Sequence, residues 1–356
     1  MTSPDNGPAP AGPPNVDLYT RNGFSGPMAT IVRAQYSPAY TAVRGTYAPH
    51  RLDVGDLSEG AFTEGRSLPV AILEGDGVSV EVSRRAEPSA VAFRNVLADE
   101  VHYVLEGEGR LETDFGVLDV RAGDMVLLPR SVTYRYGEIA SPLREILIVT
   151  ESEMRVDPEN APGVLNVDLH VDAPVPDPAA GPPGDYEVII RHGREFTTYF
   201  YDYDPVPCLA TAGAPVVRRF NMENVHGLGV EKGGLMPPRL LNDSSTRTLV
   251  FHLGNRRSDR PPVHHNADYD EVIFYVAGPG NYGAVDRPGT VLWTPKGLIH
   301  HGPEEEVPEG YRAFLLETRA ALSLTPAGRD IGAVMETGQF DFFEPRTPTT
   351  AAGPAS

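Results

Sequence analysis

The sequence predicts an all-β chain made of two β-barrel modules with little helix. Short β-rich runs, such as Val78 to Val82 and Met125 to Leu128, are separated by glycine, proline and other turn residues. No long stretch repeats its apolar residues with the period near 3.6 that an amphipathic helix requires. An internal repeat is the third observation, and it assigns one copy of the same β module to each half of the chain.

The repeat is read directly from two pairs of segments. Residues 93–107 are FRNVLADEVHYVLEG and residues 264–278 are HHNADYDEVIFYVAG, aligned without gaps. A second pair, GDMVLLP at 123–129 and GTVLWTP at 289–295, keeps the same interval from glycine to proline. Each half of the chain therefore contains both segments in the same order.

Composition divides the chain further. Residues 171–185 contain five prolines and predict a linker between an N-terminal module at 16–170 and a C-terminal module at 186–330. Residues 1–15 and 345–356 are rich in proline, alanine, glycine or threonine, and they predict disordered tails.

Charge and composition exclude several classes of function. The chain has 49 acidic and 30 basic residues, and its net charge of −19 opposes nucleic-acid binding. No apolar run approaches the roughly 18 residues of a membrane span, so we expect no membrane contact. The single cysteine, Cys208, excludes an intramolecular disulfide. Together with an N-terminal segment that lacks a secretory pattern, it predicts a cytoplasmic protein.

The predicted metal site lies in residues 261–303, where two pairs of adjacent histidines and one glutamate flank β-rich runs. Two imidazoles and one carboxylate form the facial triad typical of non-haem Fe(II), which leaves positions open for O2 and substrate. Neighbouring residues of a strand face opposite sides, so only one histidine of each pair can point at a common centre. The candidates are His264 or His265, Glu271, and His300 or His301.

The repeat indicates which histidine of each pair faces inward. It aligns His264 with Phe93 and His300 with Tyr134, two aromatic residues expected to point into the first module. We therefore predict that His264, Glu271 and His300 bind the metal. Their two neighbouring histidines form the alternative register.

The first module retains only the glutamate of this set. Glu100 aligns with Glu271, whereas Phe93 and Tyr134 replace the histidines. A single carboxylate between two aromatic residues does not hold a divalent ion. The first module is therefore predicted to be structural, and the chain to bind one metal ion.

At these residues the chain resembles the cupins. The first cupin motif is His-x-His, three or four residues, Glu, six residues and Gly, and His264, Asn266, Glu271 and Gly278 match it with an asparagine replacing the second histidine. The second motif is Gly, five residues, Pro-x-Gly, two residues and His, which residues 289–300 match. The resemblance implies a bicupin of two jelly-roll β-barrels.

A narrower resemblance covers most of residues 60–330. The segments at 187–224, at 260–275 (RPPVHHNADYDEVIFY) and at 317–328 (ETRAALSLTPAG) are similar to homogentisate 1,2-dioxygenases of the bacterial type. This resemblance implies an Fe(II)-dependent, ring-cleaving dioxygenase of the extradiol type. Its substrates would be O2 and a homogentisate- or hydroquinone-like aromatic, as in aromatic catabolism. The resemblance also implies a homo-oligomer, either a trimer or a hexamer.

Residues behind the metal ligands depart from that family. Thr294 stands where its members carry a histidine six residues before the last ligand, and another histidine position falls near Ala212. Only Tyr282 lies near the position of an expected tyrosine. We take Tyr269, Tyr282 and either His301 or His265, whichever faces the pocket, as acid/base candidates by proximity alone. These departures bear on the identity of the substrate more than on metal binding, because such residues orient and deprotonate the substrate.

Two other kinds of function stay open at this point. One is a metal-dependent isomerase, lyase or hydroxylase on the same scaffold, and the other is a non-catalytic bicupin that binds a small ligand. Oxygen dependence separates the dioxygenase from an isomerase or lyase. Four further histidines are expected to be structural: His102, His192, His226 and His252.

Overall fold

The computed structural model describes residues 15–21, 27–33, 43–62, 68–156, 165–177, 181–226, 237–254, 263–277, 288–300 and 312–335. Strands account for most of the regular structure in these ranges, and the two α-helices are short. The predicted all-β class is therefore confirmed. The predicted tails at 1–14 and 345–356 lie outside the described residues, while residue 15 begins the first strand.

The strands up to the predicted linker are β1 Asn15–Thr20, β2 Met28–Arg33, β3 His50–Asp53, β4 Val70–Gly75, β5 Val78–Arg85, β6 Ala92–Asn95, β7 Asp99–Thr113, β8 Gly116–Arg121, β9 Asp124–Leu128, β10 Thr133–Thr150 and β11 Met154–Val156. The strands after it are β12 Tyr186–His192, β13 Glu195–Tyr201, β14 Arg218–Asn221, β15 Arg239–Asp243, β16 Thr248–Gly254, β17 His264–Asn266, β18 Asp270–Ala277, β19 Thr290–Thr294, β20 Arg312–Thr318, β21 Ser323–Leu324 and β22 Gly332–Val334. The helices are α1 Val167–His170 and α2 Pro326–Ile331, with 3-10 turns at Val54–Asp56, Glu59–Ala61 and Met222–Asn224. None of the described helices has the length and apolar character needed to cross a membrane.

The described strands form three sheets. The first has 11 strands, along the path β13-β12-β6-β10-β5-β4-β21 with β7, β8, β9 and β14 attached. The second has eight strands in the order β11-β15-β16-β20-β18-β19-β3-β22, and a small third sheet joins β17 to β1 and β2. Among the described ladders, β1 with β17 and β12 with β6 are parallel and the others are antiparallel.

Side-chain alternation along the strands separates the barrel interiors from the contact between the modules. On β18, Phe274 belongs to an apolar cluster shared by both modules, in which Phe314 packs against Tyr103 of the first module with ring centroids 5.0 Å apart. The alternate residues Ile273 and Tyr275 belong instead to a cluster formed by the second module alone. One face of each sheet therefore joins the modules, and the other lines a barrel.

Strands from each half of the chain complete the sheet of the other half. β12 and β13, expected in the C-terminal module, join the first sheet through β6, and β14 pairs with β9. In the opposite direction, β3 and β11 join the second sheet through β19 and β15. The predicted linker is also attached, because Asp172 bridges to Arg219 and Val175 bridges to Val117. Linear division at residues 171–185 therefore does not separate the two sheets.

The structure reproduces the register of the repeat. Phe93 on β6 is paired with Tyr134 on β10. In the second module, His264 on β17 forms the corresponding bridge with His300. The gapless alignment of the two segments is therefore confirmed at the positions that matter for the site.

A left-handed turn follows the proline of the second segment in both modules. The N–H of Ser131 donates to the Asn95 carbonyl at 2.6 Å, and the N–H of Gly297 donates to the Asn266 carbonyl at 2.7 Å. Both turn residues have positive φ, 69° at Ser131 and 79° at Gly297. Glycine adopts this conformation freely, whereas a residue with a Cβ is strained there. At this turn, the first module thus carries backbone strain that the second avoids.

Substituting Ser131→Gly is expected to raise the free energy of unfolding by about 0.5–1 kcal/mol, because relief of the strain exceeds the entropy that glycine adds to the unfolded chain. Urea denaturation at neutral pH measures the change. The matched reverse variant, Gly297→Ser, is expected to lose stability. A Ser131→Gly protein that is no more stable than the parent contradicts this account.

Candidate metal centre

Three side chains of the second module bring possible metal-ligand atoms together. Donor atoms of His264, Glu271 and His300 lie within 4.8 Å of one another, and all three residues are buried. Oε1 of Glu271 lies 3.8 Å from Nε2 of His264, and its Oε2 lies 3.3 Å from Nε2 of His300. Each carboxylate oxygen therefore faces one imidazole.

Backbone pairing fixes the two histidines relative to each other. His264 lies on β17, and His300 follows β19 after the left-handed turn at Gly297. The N–H of each histidine donates to the carbonyl of the other, at 3.0 and 2.9 Å. Their ring centroids are 4.4 Å apart. Glu271, on β18, then approaches both rings from the neighbouring strand.

Electrostatics keep the carboxylate ionised. Burial raises the pKa of Glu271, but the charges and hydrogen bonds of His300, His264 and Asn266 together outweigh burial and bring that pKa to about 2. Nδ1 of His300 lies 2.9 Å from the carbonyl of Leu298. Donation from this Nδ1–H leaves Nε2 facing Glu271, and this nitrogen becomes available as a metal ligand once it has lost its own proton.

Asn266 occupies the position of the second histidine of the cupin motif. Its side-chain amide donates toward Oε1 of Glu271 at 3.5 Å. Its Oδ1 accepts the backbone N–H groups of Asp268 and Tyr269, both at 3.2 Å. Asn266 therefore closes the turn after β17 and orients the carboxylate, with no imidazole to offer as a further ligand.

His265 faces away from the triad. Its Nδ1 lies 3.1 Å from Oδ1 of Asp17 on β1, and Oδ2 of Asp17 accepts a hydrogen bond from Arg33 at 2.8 Å. Among the described residues, the structure thus brings together the predicted ligands, whereas His265 of the alternative register contacts Asp17. The other member of the alternative pair, His301, lies outside the described residues.

The structure does not bring Tyr269 to the triad as an acid/base group. Its hydroxyl donates to the carbonyl of Thr246 at 2.6 Å, and the guanidinium of Arg319 lies 5.0 Å from its ring centroid. The hydroxyl of Tyr269 is therefore directed at the backbone of Thr246 and not at the triad. Proximity in sequence was misleading here, because the turn after β17 carries the side chain toward Thr246. Tyr282, the other tyrosine candidate, lies outside the described residues.

A second buried carboxyl, Glu317, lies beside the triad and was missed by the sequence analysis. Glu317 on β20 is directly opposite Glu271 on β18, so the two side chains share a face with Cβ atoms about 5 Å apart. It is 2% exposed, and its Oε2 has no hydrogen-bond partner among the described residues. Burial and the charge of Glu271 raise the pKa of Glu317 well above its ordinary value.

The sequence does contain a signal for Glu317. It follows the apolar run AFLL at residues 313–316, and a glutamate within such a strand is rarely buried without a reason. Thr294, which replaces a histidine of the resembled family, lies opposite Glu271 on the other neighbouring strand, β19. Glu271 therefore lies between the carboxyl group of Glu317 on one neighbouring strand and the hydroxyl of Thr294 on the other.

The first barrel holds a buried ionic network at the equivalent position. Glu100 accepts hydrogen bonds from the amide of Asn95 at 2.9 Å and from the hydroxyl of Tyr134 at 2.8 Å. Its Oε2 lies 3.1 Å from Nε2 of His102, whose Nδ1 lies 3.2 Å from Glu145. One imidazole thus stands between two carboxylates. This arrangement agrees with the structural role predicted for His102.

Charge on His102 compensates these carboxylates. Burial lowers the pKa of His102, but hydrogen bonds to Glu100 and Glu145 outweigh burial and raise it to about 9. Burial raises the pKa of Glu100, yet His102 brings it to about 2. The protonated imidazole provides the positive charge that a metal ion would otherwise supply. This network agrees with the structural role predicted for the first module.

Fold and site together define an all-β protein of two barrel modules, with one candidate metal centre among the described residues. No family model matches the chain. It is similar to a protein of Saccharolobus solfataricus named "Putative dioxygenase", with 25% identity over 248 residues that cover 65% of this chain and 63% of that protein. The match therefore spans less than two thirds of the length of that relative.

Solved cupin structures resemble the chain at low sequence identity. A cupin 2 conserved barrel domain protein from Leptotrichia buccalis gives a TM-score of 0.42 at 11% identity, covering 78% of this chain and all of that one. A single-residue variant of oxalate decarboxylase from B. subtilis gives a TM-score of 0.43 at 9% identity, covering 81% of each chain. Both TM-scores are below 0.5. The two barrels are therefore defined by the pairing of their own strands and not by these similarities.

Single substitutions of His264, Glu271 or His300 by alanine are each expected to abolish binding of one divalent ion per chain. Asn266→Ala is expected to weaken the affinity roughly 10–100-fold, because the carboxylate loses the group that orients it. Titration calorimetry with Mn²⁺ and metal analysis after dialysis measure these effects. His265→Ala is the matched control and should bind normally. Full binding by the Glu271→Ala protein contradicts the site.

The free energy of unfolding is expected to fall as the pH rises from 6.5 toward 9, because His102 holds its proton in the folded state to a pKa of about 9. On the acid side, stabilisation by Glu100 is lost as the pH falls from 4.5 toward its folded pKa of about 2.

Urea unfolding across the neutral to alkaline range measures the first effect. The isosteric variant Glu100→Gln should show a shallower alkaline decline, because one of the two carboxylates that hold the proton of His102 is lost. Identical pH dependence in parent and variant contradicts the assignment.

Proposed function

We propose that this protein is a non-haem Fe(II) dioxygenase that cleaves the ring of a small dihydroxylated aromatic of the homogentisate or hydroquinone type. The observation that carries the proposal is the convergence of His264, Glu271 and His300 in one buried barrel. Similarity to the S. solfataricus protein supports it, as does the resemblance of the flanking segments to homogentisate 1,2-dioxygenases.

The donor set fits Fe(II). Two imidazole nitrogens and one carboxylate oxygen are the ligands that non-haem Fe(II) oxygenases use, and three coordination positions remain open. Metal ligands are usually oriented by hydrogen bonds to neighbouring groups. Here the Leu298 carbonyl orients His300, and the amide of Asn266 orients Glu271. When bound, Fe(II) supplies a centre at which an electron-rich ring and O2 are held together and exchange charge.

Apolar side chains protect this centre from water in the proposed mechanism. Leu249 is paired with Glu317 across β16 and β20, and it belongs to the cluster that includes Phe251, Leu292 and Leu315. These side chains line the same barrel as the triad. They provide an apolar surface for an aromatic ring and exclude water that would compete for the open positions.

Glu317 would position the substrate. Its Oε2 lacks a partner among the described residues, and its side chain shares the face of Glu271. A hydroxyl of a dihydroxylated ring supplies the hydrogen-bond partner that a buried carboxyl requires. In the proposed mechanism Glu317 thereby has the role first predicted for Tyr269, whose hydroxyl donates to the carbonyl of Thr246. In this role it holds one ring oxygen toward the metal ligands.

Anaerobic reconstitution with Fe(II), followed by oxygen-uptake assays over hydroquinones that include homogentisate, tests the proposal. We expect one O2 consumed for each ring opened, with loss of the aromatic absorbance. Iron binding without oxygen uptake on any aromatic contradicts ring cleavage. Turnover in the absence of O2 indicates the isomerase or lyase alternative.

The role of Glu317 is tested in the same assay. Glu317→Gln is expected to retain iron and thermal stability but to lower kcat/KM by at least about tenfold, because a charge-capable partner of the substrate is lost. Glu153→Gln, the same change at an exposed position, is the control. Unaltered kcat/KM in Glu317→Gln removes this residue from the mechanism without affecting the metal site.

A further inference from the structure

Strand β13 is an exposed, aromatic edge of the first sheet. It ends the path of that sheet and pairs only with β12 among the described strands. Phe196 is 49% exposed, Tyr199 50% and Phe200 72%. On the adjacent β12, by contrast, Val188 and Ile189 are buried. An open edge that carries exposed aromatic residues favours pairing with another strand, and native proteins usually cover or interrupt such an edge.

The free backbone groups of this edge can be assigned from the hairpin. A two-residue turn joins β12 to β13, with His192 paired to Glu195. Residues of an antiparallel pair alternate between exchanging hydrogen bonds and facing outward. Counting from the turn, the N–H and C=O groups of Phe196, Thr198 and Phe200 therefore point away from β12. These three residues form the open edge.

This edge is complementary to itself. When two copies of β13 run antiparallel with Thr198 on the twofold axis, Thr198 meets its own equivalent and Phe196 meets the partner's Phe200. All three outward-facing residues of each strand then exchange hydrogen bonds with the other copy. A shift of two residues in either direction loses one of these matched pairs within β13.

Charge is complementary in the same register. Arg194, just before β13, lies opposite the partner's Asp202, just after it. The side chain of Arg194 is 82% exposed and contacts Glu74 of its own chain. The guanidinium group of Arg194 has enough N–H donors to bind both Glu74 and the partner's Asp202. The aromatic pairs are thus flanked at each end by opposite charges.

We propose that two copies of this chain associate through antiparallel pairing of their β13 strands about a twofold axis at Thr198. The contact is isologous, so it closes on itself and leaves no further free edge on β13. It extends the first sheet of one copy into that of the other. In a larger assembly, such as the hexamer implied by the sequence resemblance, it would join subunits in pairs.

Light scattering and sedimentation velocity on the full chain test the proposal. Thr198→Pro removes an outward N–H that β12 does not use, and proline is tolerated at such edge positions. The variant is expected to have half the assembly mass of the parent, with unchanged circular dichroism. Thr197→Val, which alters only a side chain of the neighbouring residue, is the control and should keep the parent mass.

Charge reversal provides an independent arm. Arg194→Asp and Asp202→Arg are each expected to weaken self-association by about tenfold or more, since like charges would then face each other across the contact. The double variant should restore it, because the pair is reversed as a unit. The proposal is overturned if the parent is monomeric at about 100 μM. It is also overturned if Thr198→Pro keeps the parent mass or the double variant does not recover.

Discussion

Each barrel of this protein buries a carboxylate, and that charge must be balanced inside the protein. An ionised carboxyl group removed from water is strongly unfavourable unless a cation or several donors accompany it. In the first barrel, protonated His102 stands between Glu100 and Glu145, and the charges of Arg191 and Arg85 add to its own. In the second, Glu271 faces two imidazoles whose arrangement suits a divalent ion. Among the described residues, only the second arrangement groups three possible metal ligands, so the two copies of the module balance their buried carboxylates in different ways.

Adjacent residues of the metal strand have opposite tasks. His264 points into the barrel toward Glu271, whereas His265 points outward and contacts Asp17 of the first described strand. Strand β1 runs parallel to β17, and its residues 18–20 pair with all three residues of β17. The contact of His265 with Asp17 therefore helps to hold β17, the strand that carries His264, in place. Of the pair His264 and His265, the first belongs to the candidate metal site and the second contacts the neighbouring strand.

How much the sequence could predict depends on the range of each interaction. The all-β class and the register of His264 on Phe93 followed from alternation and from a gapless repeat, which are local properties of the chain. Glu317 was missed because its position opposite Glu271 is set by the pairing of two strands that are distant in the sequence. The exchange of strands between modules was missed for the same reason. Tyr269 was chosen by proximity along the chain, and backbone geometry directs it elsewhere.

Strand exchange also bears on how the nascent polypeptide reaches its native state. The first sheet needs β12 to β14 from beyond the middle of the chain, and its strand β4 pairs with β21 at residues 323–324. Such distant pairings carry a large loop-closure entropy and slow the search for the native topology. The N-terminal barrel therefore cannot be completed while it emerges from the ribosome. Its pairing with β21 forms only once residues 323–324 have been synthesised, and until then strand β4 presents an unpaired edge that favours aggregation.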